Sequence, residues 1–331
     1  MASYHFRAFG LRIESDAPIE GLPEAAAGAP AELRIRMGSL PDAFDSEDPS
    51  TREVWHSEPN PDDDADAVAL HATRDGEWLV LSYADGARFV IRHSGTEIWA
   101  TWPATASAAS TATYLLGPVI GFTLRLRGLT CFHASSVVMA DRAILMLGPA
   151  GTGKSSTAAA LALRGHRVIG DDIAVVHSRA DHWVVHPSVP GVRLWDDMVE
   201  TLLGRADALP LLAPGWEKRQ LDLRTTRAGF RSDIAVRLGA IYVLSQPEPT
   251  GKPVAERLPG REALLALVAN TYANVLLTAP LRRAEFAVLS TLVRDVPVWR
   301  VGVPDKSRSL EAFCARIEAA GPSTEFGPGP E

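Results

Sequence analysis

Residues 148–155 read Gly-Pro-Ala-Gly-Thr-Gly-Lys-Ser, which satisfies the pattern G-x-x-x-x-G-K-[ST] at every fixed position. A loop of this kind turns consecutive backbone N–H groups inward, so that a charge-dense anion is held without its water shell. Here Gly148, Gly151 and Gly153 supply the tight backbone, with Thr152 and Ser156 beside them. Lys154 is placed to reach the outer phosphates of a nucleoside triphosphate and Ser155 to offer its hydroxyl to Mg²⁺. The flanks agree with that reading. Residues 143–147 are a short apolar run of strand type, residues 156–164 carry Ala and Leu at helical spacing, and Gly165 supplies a helix stop. The loop therefore joins a strand to a helix N-terminus, and the fold it predicts is α/β.

Lys occurs only at Lys154, Lys218, Lys252 and Lys306, and every other cationic side chain is Arg. Against that background a Lys inside the loop is informative, because a compact ammonium fits between phosphates where a broad guanidinium fits less well. A second feature is the carboxylate pair Asp171-Asp172, with Asp171 17 positions after Lys154. That is about the distance needed to climb one helix and return along a neighbouring strand to the phosphate end. The later apolar run at residues 238–244 passes into Ser245 and Gln246 without an acid, so the metal and base roles fall on the early pair.

The 331 residues are 46% apolar and 22% charged, with a formal net charge of -7. This is room for two domains and no basic footprint for nucleic acid. No apolar run reaches membrane-spanning length, and the N-terminus lacks the basic start and apolar core of a signal peptide, so a cytoplasmic location without membrane contact is expected. Cys131 and Cys314 are too few and too far apart for a disulfide framework or zinc site and are predicted to be buried thiols.

Along the first hundred residues, strand-type runs fall at 6–13, 32–37, 78–83, 88–92 and 97–102. Asp85-Gly86 and Ser94-Gly95 separate the last three as turns of an antiparallel meander. Residues 41–67 are acidic and Pro-containing, with Asp62-Asp63-Asp64 at the centre, and predict an exposed loop. A helix is expected over 107–127, strands over 129–138, 168–169, 173–176 and 296–301, helices over 261–277 and 310–319, an apolar segment at 286–293 and a turn at Asp141-Arg142. Residues 1–106 then form a β-rich N-terminal domain, 107–320 a phosphate-loop domain, and 321–331, rich in Gly and Pro, a disordered tail.

The stretch from Phe132-His133-Ala134 through GPAGTGKSSTAAALALRGHRVIGDDIAVV resembles the C-terminal catalytic domain of HPr kinase/phosphorylase and its kinase-like relatives. The shared elements are a His ahead of the loop strand, an R-G-H helix stop and the D-D pair. The likeness is specific over residues 127–177. The segments FRAFGLRIESDAPIEGLP, YLLGPVIGFTLRLRGLTCFHASSVV and VPGVRLWDDM are further similar to HPr-kinase-related proteins of bacterial peptide-tailoring clusters, some of which phosphorylate a lasso-peptide precursor on serine. The resemblance implies a phosphoenolpyruvate-carboxykinase-like catalytic fold, ATP and Mg²⁺ as cofactors, and a serine-bearing peptide or small protein as acceptor. It implies that Asp171 accepts the hydroxyl proton, that Asp172 holds Mg²⁺ with Ser155, and that His133 sits near the transferred phosphate or orients Asp171. The family's E-[IL]-R-G-x-G signature is missing, and Pro190-Gly191-Val192-Arg193 stands in its place. Arg193 and Lys218 are the candidate cations for phosphate or acceptor, with Trp195 and Trp216 nearby in sequence. A kinase for HPr-like carriers or for a small metabolite, and a non-catalytic nucleotide-binding regulator, stand as alternatives.

Overall fold

Buried and more open side chains alternate along several of the N-terminal strands. β2 (Leu11–Ser15) buries Leu11, Ile13 and Ser15 and turns Arg12 to solvent. The computed structural model describes residues 3–41, 52–56, 68–73, 76–214, 216–245, 255–303 and 310–322. The single strand expected over 6–13 is a hairpin: β1 (Tyr4–Ala8) and β2 are joined at Phe9 and Gly10, both at positive φ, which reverses the chain in two residues. β3 (Leu33–Met37) follows, and β6 (Trp78–Tyr83), β7 (Arg88–Arg92) and β8 (Glu97–Thr101) form the expected antiparallel meander. The predicted loop over 41–67 is corrected in part. Arg52–His56 forms a strand, β4, on β5 (Val68–Ala72), a local Val-Trp run hidden within an acidic average. Asp62-Asp63-Asp64 lies outside the described residues. The eight strands run in the order β1-β2-β3-β8-β7-β6-β5-β4. β3 is parallel to both β2 and β8, so this sheet is mixed.

The helix expected over 107–127 is broken. α1 (Ala108–Tyr114), capped by the Ser107 hydroxyl accepting from Ser110 N at 3.0 Å, passes through a π-helical turn at Leu115–Val119 into α2 (Ile120–Leu126). Pro118 removes a backbone donor and Gly117 leaves helical geometry at φ -113 and ψ -107. Buried on nearly every side, this pair of helices shares one apolar core with the first sheet and with Cys131, Ile173 and Val175 of the second.

The second sheet is built from β9 (Thr130–Met139), β10 (Arg142–Leu147), β11 (Arg167–Gly170), β12 (Ile173–Arg179), β13 (His182–His186), β16 (Val236–Ser245), β17 (Ala255–Arg257) and β18 (Val298–Gly302). β9 turns into β10 at Ala140-Asp141, one residue earlier than expected, with both residues at positive φ. β10 and β16 are parallel, as are β16 and β18. α3 (Lys154–Leu163) follows the loop. β14 (Gly191–Leu194) and β15 (Arg219–Asp222) pair as a separate two-stranded sheet flanking α4 (Asp196–Leu203).

The helix predicted over 261–277 stops early as α5 (Gly260–Ala269), because residues 270–272 run beside β9: Asn270 O accepts from His133 N at 3.0 Å and Tyr272 N donates to Cys131 O at 2.8 Å. The apolar segment at 286–293 is the middle of α6 (Ala279–Asp295), and α7 (Leu310–Ala320) closes the chain. Gly321 accepts a hydrogen bond from the Tyr242 hydroxyl; the rest of the expected tail, past residue 322, lies outside the described residues. Cys131 and Cys314 are free and buried, and among the described residues no helix is long and apolar enough to cross a membrane.

Candidate active site

The loop sits at the carboxyl end of β10, where ligands of open parallel sheets are held. Gly148, Gly151 and Gly153 all take positive φ, and a Cβ at Gly148 would stand 2.7 Å from Leu244 O. Gly151 is exposed at the loop tip, Thr152 is buried with its hydroxyl donating to Pro149 O at 2.8 Å, and Ser156 is half-buried in the first turn of α3. Lys154 is buried, and its Nζ donates to Gly148 O at 2.6 Å and to Pro149 O at 2.9 Å. Burial pushes its ammonium below the ordinary value, against the opposing pull of Asp171 and Asp172.

The carboxylate pair interrupts a strand. β11 and β12 both pair with β9, with Gly170 opposite Ser136 and Ile173 opposite His133, and Asp171-Asp172 fills the gap between them. Asp172 takes φ +71, a left-handed conformation that Asp tolerates better than most residues. In a regular strand these neighbours would point to opposite faces; the kink at Asp172 leaves both able to engage Arg193. Asp171 Oδ1 accepts from Ser135 Oγ at 2.5 Å and from Ser155 Oγ at 3.0 Å, and its Oδ2 accepts from Arg193 N at 3.3 Å. Asp172 Oδ1 lies 3.0 Å from His133 Nδ1 and Oδ2 lies 3.7 Å from Arg193 Nη1. Ser155 is therefore hydrogen-bonded to Asp171, whereas the family resemblance pairs it with Asp172.

Two identical side chains acquire opposite character from these surroundings. Burial raises Asp171 above the ordinary carboxylate value, with the Asp172 charge adding to it and the Ser135 hydroxyl acting against it. Burial acts to raise Asp172 too, but the His133 hydrogen bond and charge, then Arg193 and Lys154, bring it down to about 2. Asp171 is 4% exposed, while the Asp172 side chain is 22% exposed.

Of the candidate cations, Arg193 belongs to this cluster. Lys218 Nζ stands over the ring of Trp195, 4.4 Å from its centroid. Trp216 packs edge-on against Tyr114 within the core. Three contributors escaped the sequence reading. Ser135, two residues beyond His133 on the same face of β9, was recoverable from strand alternation. Asn270 accepts from Gly148 N at 2.9 Å and so ties the loop to the backbone of His133; Tyr272 stands 6.0 Å from the His133 ring. No local signal marks either of these.

Ser155 Oγ and Asp171 Oδ1 are hard oxygen donors on adjoining elements, a set that suits Mg²⁺. Among the described residues no cluster of three or more His, Cys, Asp or Glu side chains is placed to hold a metal. So small a protein donor set fits a metal that arrives on a nucleotide's phosphates. Beside the carboxylates opens a cleft of about 630 Å³, counting space open to solvent.

No family model matches the chain. Over 160 residues, 44% of the chain, it is 29% identical to the HPr kinase/phosphorylase of Limosilactobacillus reuteri strain DSM 20016, and equally so to that of L. reuteri subsp. reuteri strain JCM 1112. The chain spans about half the length of these curated relatives, 49% of each. Among solved structures, the Hpr(Ser) kinase/phosphatase from Coxiella burnetii aligns with 58% of this chain and 99% of its own, at 14% identity and a TM-score of 0.31. The chain is thus a mixed α/β protein with sequence similarity to HPr kinase/phosphorylase over part of its length.

Proposed function

We propose that the chain is a kinase that transfers the γ-phosphate of ATP to a serine hydroxyl on a peptide or small protein. The observation that carries this reading is the 3.0 Å hydrogen bond from Ser155 to Asp171, which ties the glycine loop to the carboxylate pair. The partial identity to HPr kinase/phosphorylase supports phosphoryl transfer, and the sequence resemblance to kinases of lasso-peptide clusters favours a ribosomally made peptide as acceptor.

ATP would supply the transferable phosphoryl group and leave as ADP, and Mg²⁺ would neutralise charge on its phosphates. The loop amides and the N-terminus of α3 bind the phosphates, and Lys154 exchanges its loop carbonyls for them. Ser155 and Asp171 hold the metal. Asp172, the more open carboxylate, orients the acceptor hydroxyl and takes its proton as the oxygen bonds to phosphorus, while His133 and Arg193 hold Asp172 in place. This division exchanges the roles that the family resemblance implies for the two acids. It rests on a difference in exposure and bonding: Asp171 is 4% exposed and accepts hydrogen bonds on both oxygens, whereas the Asp172 side chain is 22% exposed and, among the described residues, its Oδ2 has only the 3.7 Å ion pair to Arg193.

Two variants test the kinase and the division together, with phosphopeptide measured by mass spectrometry and nucleotide affinity by calorimetry. Asp172→Asn is expected to keep Mg²⁺-dependent ATP affinity and lose transfer by at least about 100-fold. Asp171→Asn is expected to lose the Mg²⁺ enhancement of ATP affinity. The reverse pattern restores Asp171 as the base, and a wild-type chain that binds ATP without yielding any phosphorylated product is a nucleotide-binding regulator instead.

A further inference from the structure

The cleft beside the carboxylates has a wall that phosphate binding leaves unexplained. Its floor holds Asp171, Asp172 and Arg193, and one side is formed by Glu20 and Gly21, in the connection between β2 and β3 of the N-terminal sheet. None of residues 148–155 lines it: the loop meets Asp171 through Ser155 at Oδ1, and the cleft's Arg193 meets it through its backbone N at Oδ2. An in-line transfer needs the acceptor to come from the side away from the nucleotide.

The Glu20 turn is rigidly seated. Ile19 and Leu22 on either side are each 4% exposed, and Leu22 N donates to Ile19 O at 3.2 Å to close the turn. Gly21 takes φ +90, and a Cβ there would stand 3.0 Å from Leu116 Cδ1. Leu116 precedes Gly117, whose own added Cβ would lie 3.5 Å from Asp172 Oδ2. The turn therefore rests on the helix break that abuts the acceptor-side carboxylate. Glu20 itself is exposed, and among the described residues its carboxylate has neither an ion pair nor a hydrogen bond. Arg193, the cation of the cleft, is engaged by Asp172. A carboxylate held without a partner at the edge of a cleft selects by charge, stabilising a cationic ligand and disfavouring an anionic one.

We propose that Glu20 is a specificity-determining residue contributed by the N-terminal sheet, and that the acceptor bears a cationic group beside its reactive hydroxyl. The proposal rests on the kinase reading above. A hydroxyl next to a cation occurs both in a serine peptide with a neighbouring Lys and in a free amino alcohol, and the test separates the two.

Peptides of equal length with Lys, Ala or Glu beside a single serine, and ethanolamine as the free amino alcohol, are offered with Mg²⁺ and ATP to the wild type, Glu20→Gln and Glu20→Lys. The wild type is expected to favour the Lys peptide over the Glu peptide by about fivefold in kcat/KM, the size of a solvent-screened ion pair. Glu20→Gln is expected to erase that preference and Glu20→Lys to reverse it. Ethanolamine outrunning the Lys peptide assigns the site to a small amino alcohol, and the opposite order assigns it to a peptide. Product formed at equal rates from the Lys and Glu peptides, or an order that survives Glu20→Lys, overturns the role of Glu20 and leaves the kinase standing. No phosphorylated product from any acceptor with the wild type removes both.

Discussion

At the scale of single residues, Ser135 acts on the carboxylate pair and Asn270 on the glycine loop. The Ser135 hydroxyl donates to Asp171 Oδ1 at 2.5 Å and so favours its ionised form. Replacing it with Ala removes that stabilisation and raises the Asp171 pKa further. The acid limb of the kcat/KM profile is then expected to move to higher pH in Ser135→Ala, and urea titration should show a loss of about 1 kcal/mol. Asn270→Ala frees Gly148 N from its partner, and weaker ATP affinity with an unchanged fold, read by calorimetry and circular dichroism, is the expected outcome. The loop and the Asp pair were legible in the sequence because each is a short run of neighbours whose chemistry depends on local spacing. The bond from Ser155 to Asp171 and the reach of Asn270 to Gly148 were not, since they join residues far apart in the chain that only folding brings into contact.

Between elements, two contacts hold the layers in register. Arg125 of α2 pairs with Glu285 of α6, with side chains 3% and 10% exposed, and Arg125 Nη1 also donates to Leu129 O at 2.9 Å. Arg125→Met leaves Glu285 buried without its cation, and chemical denaturation should report a loss of about 3–5 kcal/mol. The β1–β2 hairpin meets the end of β13 through Gly10 and His186: a Cβ on Gly10 would fall 2.6 Å from His186 Nδ1, and Phe9 N donates to Pro187 O at 2.7 Å. His186 is held down at about 4, first by burial and then by the charges of His177, Arg179 and Arg7. Its unfolded value near 6.5 is higher, so the unfolded chain binds the extra proton between the two values. Stability is therefore full above about pH 6.5 and declines as pH falls toward 4, and a melting-temperature series should show a shallower acid decline in His186→Asn. Strands with clear alternation and turns with Asp-Gly or Ser-Gly were legible at this scale. The break of the long helix and the early end of α5 were not, because the first serves the packing of Gly117 beside Asp172 and the second pairs residues 270–272 with β9.

Across the whole molecule, the first sheet, the α1–α2 pair and part of the second sheet bury their apolar faces in one core, with Leu33, Ile98, Phe122 and Ile173 all at 1% exposure or less. Separating residues 1–106 from the remainder would bare one side of that core. A chain beginning at residue 107 is expected to aggregate or lose its near-ultraviolet circular dichroism, and the full chain to unfold in a single transition seen alike by Trp fluorescence and far-ultraviolet circular dichroism. By itself the sequence determined the local devices: the glycine loop between a strand and a helix, the acidic doublet downstream, the β-rich start and the buried thiols. These depend on spacing and side-chain type over a few residues. Tertiary structure alone decided which carboxylate meets Ser155, which stays open beside His133 and Arg193, and that Glu20, in the β2–β3 connection, borders the cleft that holds both carboxylates. Those relations depend on desolvation and on distances across the core, and both arise only once remote segments have packed together.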